Sequence, residues 1–139
     1  MQQRTIGVIG GSGLYDLEGL EDRSEERVST TFGEPSDAVL GGTLNGVRYL
    51  FLPRHGRGHR VPPHRINYRA NMLALKQLGA EQVISVSAVG SMEEHIHPGD
   101  VVLVDQFIDR TRSRSSTYFE DLGVAAHVEF ADPVDAALQ

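Results

Sequence analysis

A short apolar run near the start of the chain, residues 5–9, stops at Gly10-Gly11-Ser12-Gly13. Buried strands of parallel sheets are continuous apolar runs of about this length, so the run predicts a buried β-strand. The glycines predict a tight turn in which backbone N–H groups can approach a ligand, because no Cβ atom is in the way. A chain with this feature is constrained to build its core around a sheet, with an accessible turn at one strand end.

The dipeptide Asn45-Gly46 separates two apolar runs, residues 38–44 and 47–52. Asn-Gly suits the positive φ angles of a type I′ turn, so the two runs predict a β-hairpin. Residues 65–78 carry apolar side chains at helical spacing and precede Gly79, which predicts a largely buried helix.

Two β-branched runs, residues 82–87 and 101–107, predict further core strands. Together these elements indicate an α/β fold with a mixed central sheet flanked by helices, and we expect residues 1–139 to form a single domain. Asp132-Pro133 are typical of a helix start, so residues 134–139 predict a helix that ends after about two turns. Either a short helix docks on the core, or the chain is the first part of a larger domain.

The charged residues are distributed unevenly. The chain has 13 basic and 19 acidic residues, a net charge of −6. Residues 38–80, called here the acid-free stretch, contain no carboxylate but seven basic residues: Arg48, Arg54, Arg57, Arg60, Arg65, Arg69 and Lys76. This pattern favours an anion site, and the alternative is an arginine-rich face that pairs with acids elsewhere in the fold.

Histidine and arginine are most concentrated in one part of the acid-free stretch, residues 53–64, which contains three His, three Arg and two Gly. An arginine fork binds phosphate through two nitrogens, and a nearby histidine adds a donor. Metal binding is the alternative, through His55, His59 and His64 with His95 and His97. The chain has neither a Cys nor a His-Glu-x-x-His pattern, and no carboxylate lies nearby in sequence, so we expect no metal site.

Two segments of small residues are candidates for contact with an anion. The first glycine turn is no dinucleotide fingerprint, because Asp16 stands where the third glycine is required, and no Walker-type Gly-Lys-Ser or Gly-Lys-Thr follows. Residues 85–91 are small where a core strand ends, as expected at the carboxyl edge of an α/β sheet. Alone, the glycine turn is equally consistent with a plain turn, and residues 85–91 favour a strand that ends in a glycine turn. His127 alone is typical of a hydrogen-bonded structural residue.

The composition argues against several classes of protein. No disulfide can form without cysteine. The first apolar run is too short to cross a bilayer and lacks the features of a signal peptide, so we expect a cytoplasmic protein with no membrane partner. Binding to single-stranded nucleic acid needs aromatic side chains beside the arginines. Only Tyr49, Phe51 and Tyr68 are available there, so we expect no nucleic-acid partner.

Taken together, these segments resemble the trimeric nucleoside phosphorylases, and most closely the 5′-methylthioadenosine phosphorylases. The arginine-histidine run followed by Ile-Asn-Tyr-Arg-Ala-Asn is the most specific match. The matching segments are residues 6–14, 32–37, 54–56 with His59, 63–71, 87–91, 98–100 and 105–111.

The resemblance implies a phosphate site formed by Ser12, Arg54, His55, Ser87 and Ala88, with backbone N–H groups of the last two as donors. It implies that His127 reaches the sugar pocket of a neighbouring subunit in a homotrimer. His59 is a possible accessory residue. Inorganic phosphate is the co-substrate, and no cofactor is expected.

The implied reaction is phosphorolysis of S-methyl-5′-thioadenosine to adenine and 5-methylthioribose 1-phosphate, a step of purine and methionine salvage. The family's ribose segment and the acids that bind and protonate the purine have no counterpart here, so no catalytic residue is expected before Gln139. Base specificity is therefore open, with S-methyl-5′-thioinosine phosphorylase or a general purine nucleoside phosphorylase as alternatives. A non-catalytic phosphate- or nucleotide-binding module is the alternative of another class.

Overall fold

The computed structural model describes residues 4–11, 18–120 and 122–138, which fall into two compact units, Met1–Ala88 and Val89–Gln139. Every regular element of the described ranges belongs to the first unit. In chain order these are β1 (Thr5–Gly10), β2 (Glu21–Glu26), β3 (Val39–Leu44), β4 (Val47–Pro53), a 3-10 turn (Pro63–Arg65), α1 (Tyr68–Gln77) and β5 (Gln82–Ser85). Among the described helices none is long and apolar enough to span a membrane.

The strands form one mixed sheet in the order β2-β3-β4-β1-β5. β1 is parallel to both β4 and β5, whereas β3 is antiparallel to β2 and β4. Asn45 and Gly46 join β3 to β4 with φ angles of 50° and 78°, as a type I′ turn requires. The α/β class, the mixed sheet and the hairpin are confirmed.

The core lies where the central strands meet α1. Leu50 and Leu52 of β4 pack with Val39, Ile9 and Leu75, and all five side chains are buried. A Cβ atom on Gly7 of β1 would lie 3.0 Å from the Leu75 Cδ1 atom, so glycine there permits the close approach of α1 to the sheet. This packing fixes the helix against β1.

The helix begins at Tyr68, three residues after its predicted start. The 3-10 turn takes up the residues after Pro62, and the Asn67 side chain then caps α1 by accepting the Ala70 N–H at 3.1 Å. Gly79 has a φ of 92° just past the helix, in line with the prediction from sequence.

The edge strand β2 was not predicted. Its sequence, EDRSEE, has no apolar alternation, and four of its six residues are exposed. The strand forms because its backbone pairs with β3, a contact that side-chain patterning does not reveal.

Two predictions for the second unit are wrong. Residues 101–107 form no strand: they are exposed, irregular chain, and no described segment supplies a ladder of hydrogen bonds to them. The predicted helix at 134–139 is absent over residues 134–138, where the Leu138 N–H bonds the Asp135 carbonyl in a single turn. This bond and the bond from the Ala137 N–H to the Asp135 carboxylate replace the ladder of i to i−4 bonds that a helix requires.

Candidate phosphate site at the strand ends

The parallel strands β4, β1 and β5 lie side by side, so their carboxyl ends meet at one edge of the sheet, called here the carboxyl edge. The pairing continues one residue beyond the strands. The Arg54 N–H donates to the Gly10 carbonyl at 3.1 Å, and the Val86 N–H donates to the Ile9 carbonyl at 2.8 Å. Residues that directly follow these three strands are therefore brought together, as sites in α/β sheets require.

The Arg54 side chain spans this edge. Its Nη1 atom donates to the Val86 carbonyl at 2.7 Å. Because β1 lies between β4 and β5, this bond passes the end of β1. A Cβ atom on Gly11 there would meet no atom of the described residues within 4 Å. Among the described residues the Arg54 Nη2 atom donates no hydrogen bond and no carboxylate pairs with this guanidinium, so it keeps donors for an anion.

The His55 ring fixes the guanidinium from the other side. The Arg54 Nε atom donates to His55 Nε2 at 3.2 Å. Arginine only donates, so this ring nitrogen carries the lone pair and the proton is on Nδ1, which donates to the Val61 carbonyl at 2.9 Å. His55 is 9% exposed, and the His59 ring stacks on its ring at 4.2 Å between centroids. His55 is thus a neutral acceptor that orients Arg54.

Ser87 and Ala88 follow β5 in exposed chain, just past the residue that holds Arg54. Their backbone N–H groups donate no hydrogen bond to any residue that the structure describes. The structure therefore brings together Arg54, His55 and this pair of donors, four of the five residues predicted for phosphate.

The other predicted residues are placed differently. Ser12 lies outside the described residues. His127 belongs to the second unit, where it is exposed and in irregular chain. No cluster of three or more His, Asp or Glu side chains suited to a metal ion occurs in residues 4–11, 18–120 and 122–138.

Acids of β2 pair with some cations of the acid-free stretch. The Arg57 Nη2 atom lies 2.7 Å from the Glu25 Oε2 atom, and the Arg48 Nη2 atom lies 3.9 Å from the Glu26 Oε1 atom. The hydrogen bond from Arg57 lowers the pKa of Glu25, against the effect of desolvation. The alternative prediction, that arginines of this stretch pair with acids elsewhere in the fold, therefore holds for Arg57 and Arg48. Arg54 instead faces the carboxyl edge.

Asp37 was not assigned by sequence analysis, although it stands directly before the acid-free stretch. Its Oδ2 atom accepts the Arg57 N–H at 2.6 Å, and its Oδ1 atom accepts the Ala38 N–H at 2.8 Å. Burial acts to raise the pKa of this carboxyl. The two N–H donors and the charges of Arg57 and Arg60 outweigh it and hold the pKa below the usual value of 3.8.

The lowered pKa of Asp37 predicts a loss of stability in acid. A depressed folded-state pKa contributes stability above the unfolded pKa, and that contribution disappears as the pH falls through the folded value. We expect Asp37→Asn to reduce the free energy of unfolding at pH 7, with the difference from the native protein shrinking below about pH 4. Urea titrations of both proteins at pH 7 and pH 3 measure this, and a difference that stays constant contradicts it.

The model of the phosphorylase superfamily matches residues 5–139. The chain is 58% identical over 137 residues to S-methyl-5′-thioadenosine phosphorylase of Geobacter sulfurreducens, covering 98% of this chain and 48% of that protein. It is 53% identical over 135 residues to purine nucleoside phosphorylase of Streptomyces coelicolor, covering 92% of this chain and 48% of that protein.

A solved structure is similar in fold to this chain. Methylthioadenosine phosphorylase sourced from an antarctic soil metagenomic library superposes with a TM-score of 0.89 at 50% identity, covering 95% of this chain and 46% of that one. The chain spans about half the length of the curated relatives that it matches.

Proposed function

The chain belongs to the phosphorylase superfamily, and from that premise we propose that it forms the N-terminal portion of a larger phosphorylase domain. The proposed reaction is phosphorolysis of S-methyl-5′-thioadenosine, giving adenine and 5-methylthioribose 1-phosphate. The observation that carries the proposal is the Arg54 guanidinium, held across the carboxyl edge by Val86 with donors to spare beside the N–H groups of Ser87 and Ala88.

These donors suit inorganic phosphate. Phosphate is a weak nucleophile, so a site must hold it in line with the bond to be broken. The Arg54 fork and the N–H groups of Ser87 and Ala88 would supply that positioning without a cofactor. Ser12, which follows the glycine pair at the end of β1, is proposed to add a hydroxyl, with His59 as a possible accessory residue.

In the proposed step a phosphate oxygen bonds to the anomeric carbon while the bond from that carbon to the purine nitrogen breaks. The bonding pair leaves with the purine, which takes up a proton. The sugar passes through an oxocarbenium-like transition state, and the charge of the phosphate held by Arg54 stabilises it. The groups that protonate the base are expected outside residues 1–139.

The proposed assembly is a homotrimer in the cytoplasm, in which His127 reaches the sugar pocket of a neighbouring subunit. Its exposure in the second unit is compatible with a role outside its own subunit. The Streptomyces coelicolor relative supports one alternative, a purine nucleoside phosphorylase acting on other bases or sugars.

Release of base by the full-length protein tests the reaction. With S-methyl-5′-thioadenosine we expect release of adenine only when phosphate is present, with 5-methylthioribose 1-phosphate as the second product. Methylthioinosine, adenosine and inosine, assayed in parallel, decide the base and sugar preference. Equal release without phosphate contradicts phosphorolysis, and phosphate binding without turnover of any of the four substrates indicates a non-catalytic binding module.

A further inference from the structure

We propose that Asp37 is a positioning residue for phosphate: its carboxylate fixes the turn of residues 53–61 and thereby the direction of the Arg54 guanidinium. This inference rests on the proposed function. Asp37 itself lies before β3, outside the carboxyl edge, and is proposed to act only through the turn. The turn of residues 53–61 is called here the arginine turn.

The arginine turn is closed by its own hydrogen bonds. The Gly56 N–H donates to the Pro53 carbonyl at 2.9 Å. The Val61 N–H donates to the His55 carbonyl at 2.8 Å, and the His55 ring returns a bond to the Val61 carbonyl at 2.9 Å. Such a closed loop moves as a unit, so a contact at one residue of the turn restrains the others.

Asp37 contacts this unit at its middle. The carboxylate accepts the Arg57 N–H at 2.6 Å, a charge-assisted bond to the backbone that is independent of the Arg57 side chain. Next to it, Gly56 has a φ of 68°, and a Cβ atom there would lie 3.0 Å from the Ser36 carbonyl oxygen. The turn is therefore pressed closely against residues 36 and 37.

The segment that carries Asp37 is itself anchored to the core. The Asn71 Oδ1 atom accepts the Ser36 N–H at 2.8 Å, and its Nδ2 atom donates to the Ser36 Oγ atom at 3.0 Å. Asn71 is 1% exposed on α1, and Asn67 at the start of that helix donates to the Phe32 carbonyl at 2.7 Å. Hydrogen bonds thus connect α1 to the segment of Asp37, and Asp37 to the arginine turn, so the turn is held in a fixed position relative to α1.

The test is Asp37→Asn in the full-length enzyme, with phosphate as the varied substrate. The amide places an N–H₂ group or a weaker neutral acceptor against two backbone donors, so the turn loosens. We expect the KM for phosphate to rise about ten-fold, the effect of one charge-assisted hydrogen bond. The kcat at saturating phosphate and the KM for methylthioadenosine should stay within about three-fold.

Glu34→Gln is the matched control. It makes the same chemical change in the same segment, at a carboxylate whose described partner is the Ser29 hydroxyl rather than the arginine turn. Its KM for phosphate should equal that of the native enzyme. If Asp37→Asn gives too little folded protein, Asp37→Ser, which keeps a small acceptor, is measured in the same way.

The outcomes separate the two proposals. A native enzyme without phosphate-dependent release overturns the proposed function. An active native enzyme in which the Asp37 variants match Glu34→Gln in KM for phosphate overturns the positioning role alone. A fall in kcat with unchanged KM for phosphate also overturns it, since a loosened anion site weakens binding first.

Discussion

Replacement of Arg54 by alanine in the full-length protein is expected to lower kcat/KM for phosphate by about 10²–10³-fold. The guanidinium is the cation that the structure holds across the carboxyl edge, through the Val86 carbonyl and the His55 ring. Its loss removes both the charge and the paired donors that would align phosphate for attack. Initial rates of adenine release at varied phosphate measure the effect.

Two further variants make this result specific to Arg54. Arg54→Lys keeps a point charge without the fork and should fall between the native enzyme and the alanine variant. Arg57→Ala removes a cation from the same turn, but one that pairs with Glu25, and should stay within about three-fold of the native rate. Equal losses in Arg57→Ala and Arg54→Ala would show that net charge alone is responsible.

Replacement of Leu50 by alanine is expected to lower the free energy of unfolding by about 2–5 kcal/mol. Leu50 is fully buried in β4, the strand that joins the hairpin to the parallel part of the sheet, and it packs in the core with Leu75 of α1. The substitution leaves a cavity that these fixed elements cannot close. Urea unfolding followed by circular dichroism gives the value.

Met72→Ala is the control for this stability loss. Met72 lies on α1 and is 40% exposed, and alanine favours helix, so the change should cost less than about 1 kcal/mol. Comparable losses for the two variants would contradict the assignment of the core to β4.

The first half of the chain was predictable because its signals are local. Asn45-Gly46 fixes a hairpin by backbone preference alone, and apolar runs that end in small residues mark the strands of the parallel part. The carboxyl edge follows from this, because strands of one direction end on one side. The grouping of Arg54, His55, Ser87 and Ala88 as one phosphate site was implied by the resemblance to the nucleoside phosphorylases, because the strand pattern alone does not assign these residues to one ligand.

Contacts between distant segments were not predictable in the same way. β2 has no apolar pattern and forms through backbone pairing with β3. Asp37 ends one of the segments that match the family, but no role was assigned to it from sequence, and its bond to the Arg57 N–H joins residues 20 positions apart. The choice of tautomer for His55 likewise depends on which atom Arg54 presents to it. Such features depend on the folded neighbourhood rather than on residue order.

In the second unit, local sequence signals predicted elements that the structure does not form. Residues 101–107 have strong β-propensity, yet propensity alone does not form a strand without a partner for its backbone groups. Residues 132 and 133 have the right types to start a helix, yet the backbone of residues 134–138 makes only a single turn. In both places the local signal is genuine and the tertiary partner is absent from the described residues.

The pairing of Arg57 and Arg48 with Glu25 and Glu26 has an electrostatic consequence for the carboxyl edge. These acids partly cancel the positive field of Arg57 and Arg48. Long-range steering is screened over roughly 8–10 Å at physiological ionic strength in any case. Binding of an anion at this edge therefore depends on hydrogen-bond donors at short range. Added salt should slow the association of phosphate less than the number of basic residues alone would predict.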